Sequence, residues 1–200
     1  MTSASTEPAP SGWNPPKSRA DRANEELVLG LVRGGKLDDA LAMLVKLYSQ
    51  SLVSFARRVV RDREIARDIC QIVFLEAFRG IAKYEGRSSL WSWLCGITSH
   101  RCIDELRRRK RSPNDVLEVI EQIADIPDTD EQLAERRAIE RCLTKLNDPL
   151  RAQVLMRFYG GLSFAEIGEH IGDAPGTVQV RINRALPLLQ RCLRNQGVQR

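Results

Sequence analysis

From Leu41 to Val59 the apolar residues Leu41, Leu44, Val45, Tyr48, Leu52, Phe55, Ala56 and Val59 follow one another at steps of three and four. Only an α-helix with one buried side brings such positions onto a common face, so the stretch starting at Asp38 reads as a long amphipathic helix that needs partners. Neighbouring segments supply them. A shorter helix through Glu25 to Val32 is closed by Gly34 and Gly35. A third, from Arg63 to Phe78, can turn Ile65, Ile69, Ile72, Val73 and Ala77 inward. After a glycine-bearing loop from Gly80 to Ser88, Ser89 is a plausible N-cap for a fourth helix carrying Leu90, Trp93, Leu94, Ile97, Ile103 and Leu106. Four helices on short links make an all-α module.

Beyond it, Pro113 and Pro127 break the periodicity in an acidic stretch, which reads as a flexible, exposed linker of roughly 20 residues. A second module begins near Asp130 with Leu133, Ile139, Leu143 and Leu146 on one helix face. Asn147, Asp148 and Pro149 then supply a cap and a first-turn proline for a helix ending at Gly160 and Gly161. Ser163 and Glu166 form a capping box for a short helix that holds Ile167 and Ile171 and stops at Gly172. The last helix starts near Pro175 and turns Val178, Ile182, Ala185 and Leu189 inward. A short helix, a glycine turn and a Thr-started basic helix are the pattern of a helix-turn-helix. The expected fold is therefore all-α, with two small helical modules at 23–111 and 130–194 joined by the linker at 112–129. Residues 1–22, rich in Ser, Thr, Pro and Ala with Trp13 as a passenger, and residues 195–200 are expected to be tails.

Net charge is +5 over the 200 residues, and its distribution is uneven. Residues 101–111 hold six bases and two acids, 112–140 nine acids and two bases, and 150–200 seven bases and three acids. Two basic blocks flanking an acidic spacer fit two surfaces for one polyanion. The five cysteines, Cys70, Cys95, Cys102, Cys142 and Cys192, are spread singly, so reduced and mostly buried thiols are expected. Cys95, His100 and Cys102 do not converge on one helix face, and no metal site is expected. The chain has neither a membrane-length apolar run nor a secretory leader pattern, and is read as cytoplasmic. His100 and His170 are its two histidines and neither belongs to a recognisable triad or metalloprotease motif, so an enzyme is not expected.

The segments ARDICQIVFLEAF (66–78), WSWLCGITSHRCIDELRRRKR (91–111) and LSFAEIGEHIGDAPGTVQVRINRAL (162–186) stand in the order and spacing of bacterial sigma-70 factors. The two-module layout resembles the extracytoplasmic-function group, over about residues 24–194. The resemblance implies a dissociable specificity subunit that binds core RNA polymerase, reads the minus-ten element through its first module and the minus-thirty-five element through its second, and helps to melt promoter DNA. The implied partners are core RNA polymerase and promoter DNA, with an anti-sigma factor left open; no cofactor, small-molecule substrate or membrane insertion is implied.

The resemblance places the core polymerase contact at Asp68 and Gln71, three apart on one helix face, with Phe74 beside them. The usual acid after Gln71 is here Ile72. For the minus-ten element the resemblance points to the fourth helix. Trp91 lies two positions from Trp93 and so about 160° round the helix from it, which leaves one of the two on the surface. Trp93 is assigned to the core, and Trp91, His100, Arg101, Arg107, Arg108 and Arg109 to DNA, since unstacked bases stack on aromatics and arginines follow phosphates. His100 stands where the family usually has Asn. For the minus-thirty-five element, Thr177, Gln179, Val180, Arg181 and Arg184 flank the outer side of the last helix. Gln179 replaces a common Lys, and Pro187 is expected to interrupt the helix, ending groove contact by Leu186. The alternative is a one-component helix-turn-helix regulator, which would use the C-terminal motif equally well but leaves the Asp68/Gln71 face and the Trp/Arg helix without a purpose.

Overall fold

Helix α2 (Leu37–Val60) lies at the centre of the N-terminal module, and its buried residues Ala40, Leu44, Tyr48, Leu52, Phe55, Ala56, Val59 and Val60 recur at the expected spacing. The stripe is rotated slightly from the expected one, since Ala40 is buried while Val45 is exposed. The structure is a computed structural model that describes residues 19–86, 88–111 and 130–198. Most of the expected N-terminal tail, the whole acidic linker at 112–129 and residues 199 and 200 lie outside the described residues.

Around α2 pack α1 (Arg19–Arg33), α3 (Arg63–Gly80) and α4 (Leu90–Arg111). Helix α1 begins ahead of the apolar pattern that starts at Glu25, because Arg and Ala at 19–23 are good helix formers and need no buried face to extend it. Asp62 caps α3 by accepting the Ile65 amide at 3.0 Å, and Ala66, Ile69, Cys70, Val73, Phe74 and Ala77 face inward. Ile72, expected inside, is 44% exposed. A single 3-10 turn, Ile81–Lys83, leads to α4. Ser89 caps α4 as expected, its hydroxyl accepting the Ser92 amide at 3.0 Å. Glu25, from the far end of the module, accepts the free Leu90 amide at 2.6 Å and so pins α1 to the start of α4.

The C-terminal module comprises α5 (Asp130–Leu143), α6 (Asp148–Phe158), α7 (Phe164–Ile171) and α8 (Pro175–Asn195). Among the described residues every regular element is helical. Asn147 caps α6 through the Leu150 amide, and Ser163 with Glu166 closes both halves of the capping box on α7. The α7–α8 turn is tight. A β-carbon at Gly168 would fall 2.5 Å from the carbonyl oxygen of Asp173, so only glycine lets the turn close here. Helix α8 then buries Val178, Ile182, Ala185 and Cys192. It runs on through Pro187 to Asn195 rather than stopping at Leu186, because Leu189 and Cys192 anchor its second half although the proline removes one backbone donor.

Two of the five cysteines depart from the expectation of reduced thiols: Cys142 on α5 and Cys192 on α8 form a disulfide, their Cα atoms 5.7 Å apart. Residues 50 apart in sequence meet because α5 packs on α8, which single-spaced cysteines do not reveal. Cys70, Cys95 and Cys102 are free and buried in the N-terminal module, and burial pushes the Cys70 thiol up to about 12. Closing a loop of that length removes unfolded-chain entropy worth about 4 kcal/mol. Dithiothreitol is therefore expected to lower the urea midpoint of the C-terminal module by an amount matching about 4 kcal/mol. A Cys142→Ser/Cys192→Ser variant should unfold at that lower midpoint with or without reductant. An identical midpoint for oxidised and reduced wild type would show that the cross-link does not constrain the module.

Candidate nucleic-acid interface

The basic end of α4 is built from arginines that already hold acids. Arg108 grips Glu105 through two bonds of 2.8 and 2.9 Å, Arg107 lies 3.7 Å from Asp104, and Arg101 pairs with Glu76 of α3. The hydrogen bonds from Arg108, outweighing burial, hold the Glu105 carboxyl below its ordinary range. Arg107 and Arg108 remain exposed. Arg109 does not: it reaches Glu105 at 3.1 Å, Asp62 at 3.3 Å and the Val60 carbonyl at 3.4 Å. It ties the end of α4 to the α2–α3 junction and is not a free phosphate ligand. His100 is exposed, with Nδ1 3.2 Å from Asp104. Cys95 and Cys102, seven residues apart and so on one side of the helix, are buried away from His100.

Trp91 is not on the surface; it is 4% exposed, whereas Trp93 is half-buried against Tyr84. The helical angle between them is as expected, but the face carrying Trp91 is covered by the other module. Its indole N–H donates to the Tyr159 carbonyl at 3.2 Å, and the two rings lie 5.8 Å apart. Tyr48 stacks on the other side of Trp91 at 6.1 Å, and Phe55 stacks on Tyr159 at 5.7 Å. Next to this ring cluster, the Ser92 hydroxyl donates to the Gly160 carbonyl at 3.1 Å. Arg58 lies over the Tyr159 ring and 3.8 Å from Glu140 of α5. Burial pushes the Glu140 carboxyl up from its ordinary value, against the pull of Arg58.

Arg151 of α6, 2% exposed, crosses the same seam. One of its nitrogens donates to the Val59 carbonyl at 2.7 Å and to Asp148 at 2.8 Å. Further along, the His170 imidazole of α7 packs against α4 at Gly96, Nε2 closest. A β-carbon there would fall inside the van der Waals surface of the imidazole.

On α3 the structure separates the expected trio. Asp68 and Gln71 are exposed, but Phe74, six residues and so about 120° round the helix from Asp68, is core at 8% exposure. In its place Ile72 and Leu75 stand exposed beside Asp68 and Gln71, at 44% and 56%. Positions 68, 71, 72 and 75 form one helical stripe. On α8, Thr177, Gln179, Val180, Arg181 and Arg184 are all exposed, and Arg181 pairs with Asp173 in the turn.

Tyr159, Arg151, His170 and Leu75 were not singled out from sequence. The signal for Leu75 was its position seven after Asp68. Tyr159 carried a weaker signal, an aromatic immediately before a Gly-Gly turn at the end of a helix that already had a core residue in Phe158. Nothing in the sequence marks Arg151 or His170, whose partners are distant in the chain.

The Sigma-70 region 2 family matches residues 44–112, and the Sigma-70, region 4 family matches residues 136–189. The chain is 33% identical to the ECF RNA polymerase sigma factor SigM of Mycobacterium tuberculosis strain Erdman, over 93% of this chain and 94% of the relative. It is 27% identical to the RNA polymerase sigma-H factor of Pseudomonas aeruginosa, over 85% of this chain and 93% of the relative. Two solved folds are similar. One is the sigma factor RpoE of Bartonella quintana, in complex with the anti-sigma factor NepR, with a TM-score of 0.57 at 22% identity over 88% of this chain and 98% of that one. The other is CnrH in complex with the cytosolic domain of CnrY, with a TM-score of 0.55 at 20% identity over 86% and 98%.

A helical module followed by a helix-turn-helix, each matching its own region, defines a sigma-70 family factor, and the chain belongs to that family. Within it the chain is an extracytoplasmic-function (ECF) sigma factor: a non-catalytic subunit that directs RNA polymerase to promoters and initiates transcription. The region 2 match removes the reading as a one-component regulator, which has no use for that module.

His170 gives the seam a pH dependence of definite sign. Desolvation lowers its pKa from the ordinary 6.5, outweighing the opposite pull of Glu169 and Glu166, and His100 of α4 adds to the lowering. The packed form thus binds fewer protons than the open one just below pH 6.5, and its stability is present above that value and lost as pH falls through the depressed pKa. Acidification below 6.5 should loosen α7 from α4, read as a falling thermal midpoint alongside the His170 ring-proton titration by NMR. His170→Gln should flatten that part of the pH profile; a profile identical to wild type would show that His170 does not titrate on separation.

Proposed function

We propose that within promoter-directed initiation the two modules divide the work by surface. The stripe Asp68, Gln71, Ile72 and Leu75 on α3 docks on core RNA polymerase, with two apolar side chains to be buried and two polar ones to fix orientation. The outer face of α8 enters the minus-thirty-five major groove, where Thr177 and Gln179 near the helix start suit phosphate and base-edge contacts and Arg181 and Arg184 suit guanine or phosphate. Arg101, Arg107 and Arg108 with His100 form the basic border of the minus-ten surface, and Trp91 supplies the aromatic support for an unstacked base once the modules part, worth roughly 1–3 kcal/mol. Arg109 supports this surface from beneath.

The observation that carries this reading is the α3 stripe: two large apolar residues left in water beside Asp68 and Gln71, on the module that matches region 2. Residues 23–111 and 130–194 are the functional units in this reading. The protein works in the cytoplasm, where promoters are; among the described residues no helix is long and apolar enough to cross a membrane. An anti-sigma factor is a further partner, supported by the similar fold of RpoE, which was solved in complex with the anti-sigma factor NepR.

Asp68→Ala with Gln71→Ala should leave helix content unchanged and weaken core polymerase binding by more than about 1 kcal/mol, at least fivefold in Kd, measured by competition against labelled wild type. Adding Leu75→Ser should weaken it further. Unchanged affinity in the triple variant would remove the stripe from the polymerase interface.

Arg181→Ala should weaken closed promoter binding, measured by footprinting in the cold, and a promoter carrying a preformed bubble should not rescue it. Full rescue by the bubble would move Arg181 from duplex reading to the melting step.

A further inference from the structure

We propose that the corner between α2 and α3, with Arg61 at its tip, is a third DNA contact: a sequence-independent phosphate clamp that grips the paired spacer between the minus-ten and minus-thirty-five elements. The proposal rests on the reading of α4 as the minus-ten surface and extends that surface onto duplex DNA.

Arg61 occupies a kind of position that this chain otherwise gives to glycine. It closes α2 in the left-handed region, at φ 60° and ψ 32°, with its amide bonded to the Arg57 carbonyl. The other described residues with positive φ are Gly35, Gly86, Gly161, Gly172 and Gly197. A β-carbon is strained in that conformation, and glycine would end the helix without the strain. No contact of the side chain compensates: Arg61 is exposed and forms no ion pair among the described residues. A strained cap that holds a long cation in water points to a use outside the fold.

The surroundings are positive as well. Residues 57–67 hold five bases and two acids, and residues 105–111 five bases and one acid. All three acids are already engaged, Asp62 and Glu105 by Arg109, Glu105 also by Arg108, and Glu64 by Arg67 at 2.8 Å. Through its bonds to Asp62 and the Val60 carbonyl, Arg109 fixes the end of α4 against the corner, so the exposed Arg107 and Arg108 continue the same basic edge. Arg151 lies close behind: burial, and after it the charge of Arg61, lower its pKa against the pull of Asp148. An anion at the corner would relieve this repulsion.

Position decides which phosphates the corner meets. Along α4, Arg107 lies about 24 Å from Trp91, the length of about seven base pairs of duplex. The chain leaves this end of α4 toward the module assigned to the minus-thirty-five element, so the end faces upstream DNA that is still paired. Arginines that meet the backbone of a duplex hold it whatever its sequence.

The test uses holoenzyme reconstituted with saturating sigma factor, and measures closed-complex affinity for promoter duplex in the cold over a range of salt. Arg61→Gly removes the side chain and the strain together. The variant should therefore melt no lower than wild type and yet bind promoter at least about threefold more weakly, with the slope of log K against log salt shallower by about 0.9. Arg61→Lys should keep the slope. The loss should be equal on promoters with different spacer sequences. It should vanish where the phosphates about six to nine base pairs upstream of the first unpaired base are replaced by neutral methylphosphonates. Unchanged or tighter binding by Arg61→Gly would overturn the clamp and give the corner to another anion, such as the acidic residues 112–129 that begin beyond α4. A loss that persists in full on the neutral-phosphate DNA would overturn it too, because the side chain would then act on something other than these phosphates. Arg107→Ala with Arg108→Ala keeps the two readings apart. If that variant loses affinity and Arg61→Gly does not, the clamp alone falls; if neither loses affinity, the minus-ten reading of the basic end of α4 falls with it.

Discussion

Tyr159 is the residue on which the closed arrangement turns. It lies at the C-cap of α6, where its backbone carbonyl is no longer needed by the helix and is free to accept the Trp91 indole. Its ring fills the gap between Trp91 and Phe55, and Arg58 covers its open face. Because these contacts close, the buried side chains of the two modules form one continuous apolar cluster rather than two. The C-terminal end of α2 depends on the same closure. Its last carbonyls are served by arginines from both modules, Val60 by Arg109 and Val59 by Arg151. Removing the C-terminal module would therefore expose Trp91 and also return one helix end to water.

The arginines of α4 and α8 share a second economy. Arg107 and Arg108 are paired with acids one turn back, and Arg181 with Asp173 across the helix-turn-helix corner. Exposed pairs of this kind are worth about 0–1 kcal/mol, so a phosphate or base edge can displace the carboxylate at little cost. In the free chain the same acids orient the guanidinium groups and lower the local positive potential. Arg109 shows the contrast: bound to Val60 and Asp62 on two other segments as well as to Glu105 of its own helix, it is committed to the fold, although it stands in the same basic run as its neighbours.

The helices of both modules were legible because their signals are local. The α2 stripe, the Ser89 cap, the Ser163/Glu166 box and the Gly172 stop all depend on residues within one or two turns of each other. The failures share a cause. The sequence puts Trp91 on the surface because its helix geometry is right for the isolated module, and its cover comes from a residue 68 positions away. Ile72 and Phe74 exchanged the expected roles because a stripe can be shifted by one residue without spoiling its period. The Cys142–Cys192 bond and the Arg151–Val59 contact join elements whose packing no sequence spacing encodes. The candidate site was thus legible as a set of helix faces, and what covers or commits each face was not.

The course of α8 shows how such distant contacts decide a local outcome. Pro187 removes the amide that would bond the Asn183 carbonyl, and in an isolated helix that loss would favour a break. Here the segment beyond the proline is held by Leu189 against the module and by Cys192 to α5. At the other end, Gly168 lets the Asp173 turn close on α7, and Arg181 clasps Asp173 from the helix itself. A helix fixed at both ends has little freedom to bend at its weak point, so the exposed residues from Thr177 to Arg184 stay on one rigid face. The disulfide therefore acts at a distance: it holds the second half of a helix whose first half carries the exposed side chains of Thr177, Gln179, Val180, Arg181 and Arg184.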